Sequence, residues 1–128
     1  MTTFSPNELV LYVDDVVAST KFYSRILGRE PLATFDGFAV FGLTGGFALG
    51  LQSKHDIQPT PEASFGGFEL CVADVDGDAV DSLYDEWVKA GVDIALEPTR
   101  EVFGYTFVAR DLDGHRLRVC ATDTTGLS

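Results

Sequence analysis

The chain has 128 residues, 45% of them hydrophobic, which suits one globular domain with a core of its own. Its formal net charge of −11 repels phosphate backbones and argues against a nucleic-acid partner. No stretch approaches the roughly 20 apolar residues that span a bilayer, and the short polar segment Met1–Asn7 lacks the basic and apolar regions of a signal peptide.

The first element is a half-buried strand in which Leu9, Leu11 and Val13 alternate with Glu8, Val10 and Tyr12. Asp14-Asp15 ends it. Helical spacing over 16–27, with Phe22, Ile26 and Leu27 on the apolar side, predicts a helix stopped by Gly28. Short strands follow around 32–35, 38–43 and 47–52, with hairpin turns at Gly37 and Gly45-Gly46. Residues 53–64 are polar, contain Pro59 and Pro61, and read as a linker.

A second pass then begins. Phe68, Leu70 and Val72 alternate with Gly67, Glu69 and Cys71 on a strand. A helix over 78–90 carries Val80, Leu83, Trp87 and Val88 on its apolar side and ends at Gly91. Strands near 94–97, 105–110 and 116–121 complete this half, the last two joined by an Asp113-Gly114 turn. Matching Asp15 to Asp74 and Gly46 to Gly114 makes the second half the longer one, with the added residues around Pro98–Gly104. The expected fold class is α+β: two βαβββ modules, about 7–52 and 65–122 within one domain, forming curved mixed sheets around a shared cavity. Two cysteines, Cys71 and Cys120, are too few for a disulfide framework and read as buried, reduced thiols of a cytoplasmic protein.

The segment from Val13-Asp14-Asp15 through Ser19, Phe22-Tyr23 and Leu27-Gly28 resembles the first-helix signature of the vicinal-oxygen-chelate superfamily, the group of glyoxalases, bleomycin-resistance proteins and extradiol dioxygenases. The segment Asp111-Leu112-Asp113-Gly114-His115 resembles its closing hairpin, and Val72 to Gly91 its second strand and helix. The resemblance implies the fold, not the chemistry, since this fold hosts several reactions as well as binding alone.

Enzymes of that family place four metal ligands on cavity-facing strand positions, usually His or Gln, Glu, His and Glu. The register puts Glu8, Gly50, Gly67 and Arg118 there. Glycine has no side-chain donor and arginine stays protonated, so one carboxylate remains where a catalytic divalent ion needs about three protein ligands. His55 falls in the linker and His115 at a turn. No metal ligand and no cofactor is therefore expected. Glu8 and Arg118 are expected to form an ion pair in the metal's place, because an unpaired buried charge is costly. Gly50 and Gly67 leave room beside it for a ligand, or simply relieve crowding.

Ten phenylalanines must be placed. Phe22, Phe47 and Phe68 fall on helix-facing positions; Phe35, Phe38, Phe41, Phe103, Tyr105 and Phe107 fall where strands or loops meet a cavity mouth. Aromatic walls stack flat ligands and attract cations. Glu8, Tyr12, Gln52, Glu69, Arg116 and Arg118 share the cavity side by parity and are candidate polar anchors. What the resemblance then implies is the binding branch: a protein that sequesters a hydrophobic or aromatic natural product, a planar or cationic antibiotic, and confers resistance, with two chains pairing as a homodimer. Two enzyme readings stand beside it. In one, Glu8 or Glu69 is a general base and Arg116 or Arg118 steadies an enolate without a metal. The other is a metal-dependent lyase or dioxygenase.

Overall fold

A computed structural model describes residues 3–62 and 67–126. The chain divides into two compact units, 1–63 and 64–128.

The first unit runs β1 (Glu8–Val13), α1 (Val16–Leu27), β2 (Ala33–Phe35), β3 (Phe38–Gly42) and β4 (Ala48–Ser53), with a short 3-10 turn at Thr44–Gly46. The sheet order is β1-β4-β3-β2, with β1 parallel to β4 and the other pairs antiparallel. Alternation along β1 sorts its side chains as expected: Leu11 and Val13 are buried, while Val10 and Tyr12 are 40% and 44% exposed. Leu49 and Leu51 of β4, Ala39 and Phe41 of β3 and Tyr23 of α1 complete this core. Burying a side chain of that size contributes about 1.5–3 kcal/mol. Asp15 starts α1 by accepting a hydrogen bond from the Ala18 amide at 3.1 Å. Gly28, in the left-handed region at φ 65°, ends it.

The second unit repeats the plan with β5 (Glu69–Val72), α2 (Gly77–Lys89), β6 (Asp93–Glu101), β7 (Gly104–Arg110) and β8 (Arg116–Thr122). Its order is β5-β8-β7-β6, with β5 parallel to β8. Val80, Phe107, Ala109, Leu117 and Val119 form its core. Tyr84 and Trp87 of α2 meet the Phe107 ring edge-on, with centroids 5.5 and 5.4 Å away. The fold is thus α+β, two βαβββ modules with open four-stranded sheets. No described helix is long and apolar enough to cross a membrane.

Several expectations need correction. Asp76, not Asp74, is the counterpart of Asp15: its carboxylate accepts from the Ala79 amide at 2.8 Å and starts α2. Asp74 sits at φ 62° and its amide donates to Thr122 Oγ1. The ladders agree, since Glu8 lies opposite Ala48 and Glu69 opposite Arg116. Glu69, rather than Gly67, therefore matches Glu8. Two aspartates lie in this turn, and only the amide-capping geometry tells them apart. The added length of the second half goes into a longer β6–β7 ribbon with two register shifts. Ser53 belongs to β4, and the expected module start near 65 lies outside the described residues.

Three apolar residues expected inward are partly open: Phe68 (43% exposed), Val72 and Val88 (47% each). The first two belong to the short edge segment at β5, which among the described residues pairs with β8 alone. Cys120 is buried as expected, but Cys71 is exposed.

Candidate ligand-binding site

On β8, side chains alternate between the core (Leu117, Val119) and the face opposite α2, where Arg118 projects. Arg118 is gripped from three sides. Its Nε donates to Glu69 Oε1 at 2.7 Å, and its Nη1 donates to Thr106 Oγ1 at 3.1 Å. The Phe103 ring lies against it, 5.2 Å from the guanidinium carbon to the centroid. Thr106 in turn donates to the Val119 carbonyl at 2.8 Å, so the hydroxyl is satisfied in both roles. The Arg118 side chain is 15% exposed and that of Glu69 34%.

The hairpin tip explains Phe103. Gly104 adopts φ +137°, and a Cβ there would run into the Ala121 carbonyl oxygen. This close approach lets the Asp123 amide donate to the Phe103 carbonyl at 2.8 Å, which pins the tip against the end of β8. Cys71, opposite Arg118 in the ladder, feels the surroundings: burial first, then the Glu69 charge, pushes its thiol up, and Arg118 opposes this more weakly.

The first unit builds a different version. Gly50 occupies the position equivalent to Arg118. A Cβ on it would meet Glu8 Oε2 and Phe38 Cζ at 2.9 Å each. The volume over Gly50 is therefore filled by this ring edge and carboxylate, and the glycine relieves crowding. Gly67 is exposed ahead of β5.

The carboxylate that Arg118 takes is thus Glu69 of its own unit, where Glu8 had been expected. Phe41 and Phe107, expected at a cavity mouth, are fully buried on the helix-facing sides of their sheets, opposite Leu49 and Val119. Tyr105 also lies on the helix side, its hydroxyl donating to Asp81 of α2 at 2.6 Å, a bond that raises its pKa. Phe35 is 66% exposed on β2. Tyr12 is open on the face of β1 that carries Glu8, Gln52 is half-buried with its amide nitrogen on the Ser53 carbonyl, and Arg116 is exposed. His55 pairs with Asp14 at 2.8 Å, and His115 lies 5.8 Å from the Phe68 ring. Sequence reasoning missed Thr106. Period-two alternation from Arg110 through Val108 could have placed it, since β7 pairs Val108 with Arg118.

The four positions that hold metal ligands in related enzymes are occupied, in the corrected register, by Glu8, Gly50, Glu69 and Arg118. This set does not fit a divalent ion. Glycine donates nothing, and Glu69 already faces a guanidinium whose charge would repel a metal. Among the described residues no cluster of three or more His, Cys, Asp or Glu could hold one.

An α+β fold of paired βαβββ modules, with a strand-borne polar group on the open face of each sheet, defines a class that includes both enzymes and binding proteins. Residues 5–119 match the Glyoxalase/Bleomycin resistance protein/Dioxygenase superfamily, and the chain belongs to it. It is 34% identical over 126 residues to the phenazine antibiotic resistance protein EhpR of Enterobacter agglomerans, covering 94% of this chain and 95% of the relative. The solution structure of protein ATC0852 from Agrobacterium tumefaciens is 37% identical, with a TM-score of 0.83 over 94% of this chain and 99% of that one. The lactoylglutathione lyase of Agrobacterium tumefaciens, 22% identical with a TM-score of 0.72 over 94% of this chain and 95% of that one, shares the fold.

Proposed function

We propose that this protein binds a planar aromatic natural product without a metal and withholds it from its target, an antibiotic-resistance role by sequestration. The observation that carries this reading is Arg118: a guanidinium fixed between Glu69, Thr106 and Phe103 at a position where related enzymes hold a metal ligand. Such a group offers a flat cationic surface and directed donors to a ring system, and the adjoining phenylalanine offers a stacking face. Arg116 and Glu69 border it. The first unit offers Phe38 with Glu8, Tyr12 and Gln52 on the corresponding face of its own sheet. Likeness to a phenazine antibiotic resistance protein makes phenazines the first ligand class to try. The protein acts in the cytoplasm as a homodimer; its free cysteines suit a reducing compartment, and a symmetric pair is the commonest assembly of such chains.

The test is a titration of chelator-treated protein with phenazine, read by quenching of Trp87, followed by extraction and mass analysis of the ligand. Saturable binding with the ligand recovered unchanged is expected. Recovery of a chemically altered ligand would turn the reading toward Glu8 or Glu69 as a general base. A strict requirement for a divalent metal would restore the lyase or dioxygenase reading.

A further inference from the structure

Arg118 keeps donors in reserve. A guanidinium has five N–H groups. Nε serves Glu69 and one Nη1 hydrogen serves Thr106; the others have no partner among the described residues. These remaining donors belong to a side chain only 15% exposed, held rigid by two hydrogen bonds and a ring. What they can receive depends on charge. Glu69 sits 2.7 Å from Nε and compensates the guanidinium, so the local pair is neutral. Arg116, exposed opposite Glu69 in the ladder, is a further cation beside the pair, but its charge is screened by water on a molecule of net charge −11, so the contact that decides is the one with Glu69.

We propose, resting on the ligand-binding reading above, that Glu69 is a specificity-determining residue: by neutralising Arg118 it makes the site select an uncharged acceptor, a carbonyl or heteroaromatic nitrogen, over a carboxylate. A neutral acceptor takes the spare N–H groups without disturbing the pair. A carboxylate in the same place lies beside the Glu69 carboxylate, and this like-charge contact rejects it.

The experiment compares phenazine-1-carboxamide with phenazine-1-carboxylate, which share ring and shape and differ in charge at neutral pH. The unaltered protein binds the carboxamide at least about tenfold more tightly, a difference of roughly 1.4 kcal/mol. E69Q keeps an acceptor for Arg118 Nε and removes the charge; it brings the two affinities within about threefold by strengthening carboxylate binding, while the carboxamide is little changed. Glu69→Ala, which removes the charge and the hydrogen bond together, closes the gap in the same direction. Equal or tighter carboxylate binding by the unaltered protein, or an unchanged ratio in both variants, overturns the inference.

A second arm needs no phenazine. Acetate is titrated while the Arg118 Nε–H resonance is followed by NMR. A saturable shift in E69Q and none in the unaltered protein supports the inference; acetate binding to the unaltered protein, or no response in E69Q, overturns it. If neither phenazine binds, the ligand-binding reading fails, and the acetate arm still decides what Glu69 does.

Discussion

Two glycines make opposite demands on the chain. At Gly104 the backbone itself excludes a side chain, because φ is +137° and the Ala121 carbonyl stands in the way. Gly104→Ala is expected to cost about 3 kcal/mol in urea unfolding and to weaken ligand binding by releasing Phe103 from Arg118. At Gly50 the obstacles are the far ends of Glu8 and Phe38, which can move. Gly50→Ala is expected to cost only about 1 kcal/mol; equal costs at the two positions would contradict this account of both. Asp14 gives a prediction in pH. Its hydrogen bond with His55, then the Lys54 charge, hold its carboxyl below the ordinary 3.8. A lowered folded-state pKa means that its contribution is present above the unfolded value and lost as pH falls through the folded one. Carboxyl NMR titration is expected to place Asp14 below 3.8, and a value at or above it would show that the His55 contact does not persist.

Both helices begin on an aspartate that accepts the amide three residues on, Asp15 from Ala18 and Asp76 from Ala79. Asp15→Ala and Asp76→Ala are each expected to lose about 1 kcal/mol, whereas Asp74→Ala should leave α2 intact. Unfolding of the three variants checks the corrected repeat directly: a large loss at Asp74 and none at Asp76 would restore the original match. At this scale the elements were legible because apolar residues recur at helical spacing around α1 and β1 opens on Glu8 with Leu9, Leu11 and Val13 at every second position. The faces of β3 were not. Phe38, Ala39, Val40 and Phe41 are all apolar, so nothing in the pattern says which side meets α1. The ladder settles it by placing Phe41 opposite Leu49 and Val40 opposite Gly50. On β7 the polar Thr106 and Arg110 mark one face at period two and leave Tyr105 and Phe107 on the other, towards α2, and Arg118, the single charge between Leu117 and Val119, could likewise be placed from sequence.

Across the whole chain the repeat was the strongest signal, since each βαβββ half carries its own core and its own capped helix. The identity of the charge partner was harder to read. Glu8 and Glu69 lie at equivalent positions, and a two-residue error in matching the halves exchanged Glu69 for a glycine. The homodimer proposed above predicts a sedimentation mass of twice the 13.9 kDa chain; a single-chain mass at micromolar concentration would contradict it. In the proposed function an arginine-centred site binds a planar ligand where related enzymes hold a metal. Thermal unfolding of chelator-treated protein, with phenazine in one series and zinc, nickel, manganese or iron(II) in another, tests it most directly. A ligand at a hundredfold excess over its dissociation constant stabilises the folded state by about 2.7 kcal/mol. A clear rise in Tm with phenazine, lost in Arg118→Ala, is expected, and none with any metal. A rise with a metal and none with phenazine would contradict it.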